Sequence, residues 1–157
     1  MSRFAIDLGL LRQGRTPVEL EASASDLDLL PDGWSGPVLG AFDVEKTGEK
    51  VTVRGSVAAT ARLECVRCLA AFDRPLQASL QVFAERAGSG RPRDEEALER
   101  DEYMRFHDGR QLDLRGDARE ALLLELPMVP HCREDCRGLC PRCGADLNAG
   151  PCGCPRE

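Results

Sequence analysis

Aromatic side chains are scarce in this chain: one Trp, one Tyr and five Phe, 4% of 157 residues. With 42% hydrophobic residues overall, that predicts a modest core for one domain with an appendage. Histidine is scarcer still, His107 and His131 alone, and no histidine or carboxylate stands in a motif that would make it a general base. Hydrolytic catalysis therefore lacks support, and neither an enzyme activity nor a small-molecule substrate is expected. No stretch approaches the roughly 18 apolar residues needed to span a bilayer, so no membrane partner is expected. Nothing resembles a secretory leader: the run Met1-Ser2-Arg3-Phe4-Ala5-Ile6-Asp7-Leu8 is broken by its aspartate, and no small-residue cleavage site follows. The expected compartment is the cytoplasm, where thiols stay reduced. Positive charge is also short, with 21 Lys and Arg against 27 Asp and Glu, a net charge of -6. Gripping a nucleic acid by counterion release needs a basic surface, and none is written here. A basic protein is the easier partner to motivate.

Cysteine is abundant instead. Six of the eight read Cys132-x3-Cys136-x3-Cys140-x2-Cys143-x8-Cys152-x-Cys154, and Cys65-x2-Cys68 lies upstream. A disulfide framework, metal ligation and thiol redox chemistry are the ordinary explanations. A reducing compartment argues for metal.

Between these groups the chain reads as sheet. Odd positions from Val51 to Leu63 are apolar or small and even ones mostly polar, the period of a half-buried strand. From Phe72 to Ala84 the apolar parity moves to even positions, so the two runs form an antiparallel hairpin with Cys65-Val66-Arg67-Cys68 in its connection. Phe42 and Val44 begin another run, which turns at Lys46-Thr47-Gly48-Glu49. Phe4–Leu8 and Val18–Glu21 are shorter candidates, and Pro31-Asp32-Gly33 is a turn. Residues 87–110 carry seven acidic residues between Asp94 and Asp108 and read as a solvated connection, with His107 facing solvent. Asp113 or Asp117 offers an N-cap for a helix from Ala118 to Leu126, stopped by Pro127, with Leu123, Leu124 and Leu126 expected on the sheet. The expected fold is α+β: an antiparallel β meander with one main helix (1–126, including the acidic connection) and a C-terminal cysteine-rich zinc-knuckle tail (127–157).

Zinc takes four ligands tetrahedrally, with sulfur at about 2.3 Å. Cys140-Pro141-Arg142-Cys143-Gly144 has the form of a turn that aims two sulfurs at one point, and Cys152-Gly153-Cys154 supplies the simplest second half. The remaining four are Cys65, Cys68, Cys132 and Cys136, enough for a second ion that clips the tail onto the meander. The pairs can also be exchanged: Cys132 and Cys136 with Cys140 and Cys143, leaving Cys65 and Cys68 to join Cys152 and Cys154. One or two structural zinc ions remain open. The tail holds few apolar residues, chiefly Val129, Leu139 and Leu147, and cannot fold on its own burial. Structural zinc, at roughly 10–16 kcal/mol apparent, can fold it. His131 beside Cys132 is a possible substitute ligand, and an iron–sulfur cluster is a second metal that takes four cysteines.

The motif Leu63-Glu64-Cys65-Val66-Arg67-Cys68-Leu69, the helix-into-proline run Ala118–Pro130 and the ending Cys136–Asn148 together resemble the YceD family of large ribosomal RNA subunit accumulation proteins. The resemblance covers most of the chain from about residue 40 onward. It implies a bacterial, cytoplasmic, non-enzymatic factor for 23S ribosomal RNA accumulation and large-subunit biogenesis, with no catalytic residues. On that reading the chain is an adaptor for a ribosomal protein or large-subunit assembly factor; ribosomal RNA is a partner that the charge does not indicate. From a different class, a redox-regulated zinc chaperone uses the same x2 and x spacings in reversed order. A generic zinc-binding interaction module differs from the adaptor only in its partner. A thioredoxin-type enzyme fits poorly, because its motif opens a helix, whereas Cys65 and Cys68 follow a strand.

Overall fold

The computed structural model describes residues 4–86 and 104–155. Its frame is a five-stranded sheet built from β2 (Gly14–Ala22), β3 (Trp34–Thr47), β4 (Lys50–Glu64), β5 (Ala71–Arg86) and β6 (Met104–His107), in that spatial order. The first four strands pair antiparallel as a meander, and β6 joins β5 in parallel. A second, two-stranded sheet joins β1 (Ala5–Asp7) to β7 (Gln111–Asp113), and the helix α1 (Arg115–Leu124) follows. The α+β class and the antiparallel meander expected from the alternation are thus present. No helix among the described residues is long and apolar enough to cross a membrane.

The period-2 pattern decides which face is covered. Val51, Val53, Val57, Ala59 and Ala61 of β4 and Ala78, Leu80, Val82 and Ala84 of β5 are buried on one face. Phe4, Ile6, Leu8, Leu27, Leu112, Leu114, Ala118 and Leu122 belong to the same core and cover that face. Phe4 meets Phe42 edge to face, with ring centroids 6.2 Å apart. Gly55 occupies an inward position of β4 opposite Phe42. A Cβ there would stand 2.0 Å from the Ala41 carbonyl oxygen, so the strand passes only as glycine.

Four expectations need correction. Residues 104–107, assigned above to a solvated connection, form β6, while 87–103 lie outside the described residues. His107 is 7% exposed rather than solvent-facing. Its Nδ1 accepts from the Gly109 amide at 3.0 Å, which leaves Nε2 as the donor to the Glu49 carbonyl at 3.2 Å. A histidine that satisfies both ring nitrogens locally can be buried beside charged neighbours, and alternation over four residues is too short to announce it. The helix begins earlier than expected, at Arg115, with Leu114 at the cap position and no side-chain cap. Asp113 instead accepts from the Arg115 amide and guanidinium, and Asp117 pairs with Arg105 from within the first turn. Ala118 and Leu122 are the buried helix residues, whereas Leu124 is 77% exposed and Leu123 only partly covered, at 37%. At about 100° per residue, 118 and 122 share a stripe that 123 and 124 leave. Leu126 does pack against the core.

Candidate metal centres

The β4–β5 hairpin carries its cysteines at its tip. Two long strands, fifteen and sixteen residues, hold Cys65–Cys68 at one end of the sheet. There the chain makes a knuckle: the Cys65 amide donates to the Ala70 carbonyl at 2.9 Å, and the Leu69 amide donates to the Cys65 carbonyl at 2.9 Å. Leu69 reverses the chain with φ 62. In the tail, Cys140–Ala145 repeats the geometry. The Cys140 amide donates to the Ala145 carbonyl at 2.8 Å, the Gly144 amide to the Cys140 carbonyl at 2.9 Å, and Gly144 has φ 73. In each turn the two sulfurs are directed to one side, which is why the C-x2-C spacing serves a metal.

After α1 the chain passes beneath the hairpin tip. The Val66 amide donates to the Pro130 carbonyl at 3.0 Å, Arg74 to the His131 carbonyl at 2.8 Å, and Arg67 to the Cys136 carbonyl at 3.0 Å. The Leu139 amide then donates to the Arg67 carbonyl at 3.0 Å. Gly138, with φ 76, lies where a Cβ would be 2.9 Å from that same Arg67 oxygen. These bonds bring Cys132 and Cys136 to Cys65 and Cys68. Cys140, Cys143, Cys152 and Cys154 form a second group, and within each group all four Sγ atoms lie within 4.8 Å of one another. The exchanged pairing is not the one the chain adopts.

Each group fits a single ion. Four sulfurs placed tetrahedrally about 2.3 Å from one metal stand about 3.8 Å apart. Cys65 to Cys136 and Cys68 to Cys132 are each 3.7 Å. A disulfide needs about 2.05 Å, so these spacings are too long for bonds. A multi-iron cluster interposes several iron and sulfide atoms between its thiolates, which sulfurs this close leave little room for. Two cysteine clusters able to hold a metal ion are therefore present, a hairpin centre and a tail centre. His131 joins neither, and its Nδ1 is buried without a hydrogen-bond partner.

The surroundings favour thiolates unevenly. Burial pushes the Cys65 thiol up, but the backbone amides of Cys68, Cys132 and Arg67 outweigh it and leave it at about 5. In the tail, the amides of Cys143 and Arg142 lower Cys140 to about 6. Burial, then the neighbouring Cys68 thiol, raises Cys132 to about 12. Cys143, then burial, raises Cys154 to about 12. Within a close set of four, one thiolate makes the next harder to form, and a divalent cation removes that conflict. Cys65 and Cys136 are buried at 0% and 4% exposed, while Cys143 is exposed. Asn148 is a site residue the sequence reading did not weigh: its amide donates to Cys136 Sγ at 3.4 Å and is the largest influence holding that thiol below its ordinary value. Its signals in the sequence were its place at the end of the Cys136–Asn148 motif and at the start of the turn-rich Asn148-Ala149-Gly150-Pro151.

With both centres in view, comparison with known proteins is decisive. The family model described as large ribosomal RNA subunit accumulation protein YceD matches residues 53–157, a span that contains all eight cysteines. The chain belongs to the YceD family. An uncharacterized protein of Mycobacterium leprae is 37% identical over 126 residues, 80% of this chain and 56% of the relative. One of Mycobacterium tuberculosis is 40% identical over 109 residues, 69% of this chain and 50% of the relative. The Arabidopsis thaliana protein named large ribosomal RNA subunit accumulation protein YCED homolog 1, chloroplastic, is 25% identical across 100% of this chain and 54% of its own length. The chain thus spans about half the length of the curated relatives it matches. No solved structure matches it.

Proposed function

We propose that this YceD-family chain is a non-enzymatic factor for 23S ribosomal RNA accumulation and large-subunit biogenesis, acting as a cytoplasmic adaptor with two structural zinc ions. The observation that carries the metal half of this reading is the pair of four-cysteine groups with single-ion spacing, one of which joins the hairpin tip to the tail. Cys65, Cys68, Cys132 and Cys136 hold one zinc; Cys140, Cys143, Cys152 and Cys154 hold the other. All-thiolate tetrahedral sets select zinc among common divalent ions and leave no open position for water, so the metal supplies rigidity rather than chemistry. The ribosomal half rests on family membership and on the printed name of the Arabidopsis relative.

An adaptor needs a surface, and the uncovered face of the sheet supplies one. A groove of about 580 Å³ is lined there by Leu39, Ala41, Ser56 and Ala58, with Glu19 and Glu21 along the edge strand. Elsewhere on this face charges stand opposite countercharges: Asp43 faces Arg54, Glu45 faces Arg15, and Lys50 faces Glu85. Glu19 and Glu21 face Ala41 and Leu39 instead. Two carboxylates beside a small-residue floor suit a basic segment of a ribosomal protein or assembly factor better than a phosphate backbone.

Native mass spectrometry with metal analysis, followed by binding measurements on purified components, tests both halves. Two zinc ions per chain, and saturable binding to large-subunit proteins weakened by E19K/E21K, are the expected results. Tight, salt-sensitive binding to naked 23S fragments with none to ribosomal proteins would overturn the adaptor. A second reading, a redox-regulated zinc chaperone, draws on the exposed Cys143 thiol. Mild peroxide separates the two: zinc release with new holdase activity supports the chaperone, and inert zinc supports the adaptor.

A further inference from the structure

Asn148 belongs to neither ligand set, yet it touches the surroundings of both. It sits in the eight-residue loop between Cys143 and Cys152, inside a single 3-10 turn, Leu147–Ala149. Asp146 starts that turn, its Oδ1 accepting from the Asn148 amide at 2.9 Å. The Asn148 side chain then points back toward the hairpin centre. Its Oδ1 accepts from the Arg137 amide at 2.8 Å, and its Nδ2 donates to Cys136 Sγ at 3.4 Å. The Arg137 bond fixes the orientation of the side-chain amide, because only the oxygen can accept from a backbone N–H. The loop is tied down beside it: the Leu147 amide donates to the Gly138 carbonyl at 2.9 Å, and Leu139 bridges to Asp146. Both ends of this loop are ligands of the tail centre. Closing that centre therefore presents a donor to a sulfur of the other.

We infer that Asn148 couples the two metal centres, so that an ion in the tail centre tightens binding at the hairpin centre. The inference rests on the two-zinc reading above. A thiolate that accepts a hydrogen bond is stabilised as a ligand, and it keeps one orientation while the metal exchanges. Without tail metal, the loop keeps only these few hydrogen bonds and half-buried Leu147 as its apolar anchor, so the amide is held less firmly against Cys136. Coupling between two binding sites is reciprocal, so hairpin metal tightens the tail centre by the same factor. The centres are unequal in access: Cys65 and Cys136 are buried, whereas Cys143 is exposed. The tail centre exchanges first, and its loss loosens the hairpin clamp.

The test uses the full chain loaded with two zinc ions and challenged with a graded chelator. Asn148→Asp keeps an acceptor for the Arg137 amide and loses the donor to Cys136, whereas Asn148→Ala loses both. Hairpin-centre affinity is expected to fall about 10- to 100-fold in Asn148→Asp, the usual effect of removing an outer-shell partner. The double variant Cys152→Ala/Cys154→Ala, which abolishes the tail centre, should lower hairpin affinity by a similar factor. Adding Asn148→Asp to it should then cost nothing more. Cobalt supplies a readout that a merely structural role would not move: the thiolate-to-cobalt band of the hairpin centre should shift in Asn148→Asp. Stepwise zinc titration of the unaltered chain, which needs no variant to fold, should show the hairpin centre tightening as the tail centre fills. Additive losses, an unmoved cobalt band, or hairpin affinity indifferent to tail occupancy would each overturn the coupling. An unaltered chain that binds fewer than two zinc ions would instead overturn the two-zinc reading itself.

Discussion

Leu69 and Gly144 occupy the same position in two copies of one turn, and only one of them suits it. Both stand one residue after the second cysteine of a C-x2-C knuckle, with φ 62 and φ 73, and both donate to the carbonyl of the first cysteine. A left-handed conformation costs an L residue roughly 1–2 kcal/mol, which glycine avoids. Glycine in turn costs roughly 0.5–1 kcal/mol in unfolded-chain entropy. Leu69 is 57% exposed, so little burial is lost with its side chain. Leu69→Gly is therefore expected to be neutral or stabilising by up to about 1 kcal/mol, and Gly144→Leu to destabilise by about 1–2 kcal/mol. Denaturant midpoints of the zinc-loaded variants measure both, and a large loss in Leu69→Gly would contradict the open position of that side chain. The thiols make a second prediction at this scale. Metal binding requires thiolates, and Cys65 and Cys140 lie at about 5 and about 6, well below the ordinary value of 9.0. A lowered thiol pKa stabilises the folded, metal-ready state above it, and that contribution is lost as pH falls through the lowered value. Zinc should stay bound at pH 7 and leave in acid as the thiolates are protonated, the tail centre with its exposed Cys143 before the hairpin centre with its buried Cys65 and Cys136. Metal analysis of ultrafiltrates at stepped pH follows the order, and release of the hairpin ion first would contradict it.

At the scale of elements, the paired strands were the most legible part of the chain and the strand edges the least. The odd-to-even change of apolar parity between Val51–Leu63 and Phe72–Ala84 located β4 and β5 to within about two residues, because one face is covered and the other is not. Gly55 kept that parity without explaining itself. Its reason is the Ala41 carbonyl, 2.0 Å from where a Cβ would be, a contact made by β3 and absent from any local pattern. Gly55→Ala should therefore separate β3 from β4 locally and cost more than about 3 kcal/mol, far above the usual penalty of a surface strand substitution. Thermal unfolding measures the loss, and amide exchange at Phe42 and Val57 should rise with it. A near-neutral Gly55→Ala would mean that the Ala41 carbonyl does not crowd this position. β6 was hidden for a different reason. Four residues that pair in parallel after a long acidic stretch offer no alternation to read, and His107 is buried by two backbone partners that sequence does not display. The helix was legible as an element but not in its facing, since six of the nine residues from Ala118 to Leu126 are apolar and the stripe is set by what the sheet leaves open.

For the whole molecule, the cysteines announced a metal before any fold was known, but not which of them meet. Spacing alone allowed Cys65 and Cys68 to pair with either half of the tail. The choice falls to long-range backbone bonds, Val66 to Pro130 and Leu139 to Arg67, and to Gly138, whose missing side chain lets the tail lie against the hairpin tip. The molecule is consequently held in two ways. The sheet and its covering layer bury a continuous core from Phe4 to Leu122. Beyond α1 the exposed Met128 and Val129 show how little apolar burial the tail contributes, with Met128 98% exposed. Removal of metal should therefore act unequally. A strong chelator at neutral pH should melt residues 130–155 and leave the sheet folded, because structural zinc is worth roughly 10–16 kcal/mol where it is the main source of order and little where a core exists. Hydrogen exchange resolved by segment is the measurement. Protection should vanish across Cys132–Cys154 and persist at Val53, Val57 and Leu80, and returning two zinc ions per chain should restore it. Loss of protection throughout the sheet would mean that the metal clamp, not the apolar core, holds the fold; unchanged protection in the tail would mean that the cysteines are not its source of order.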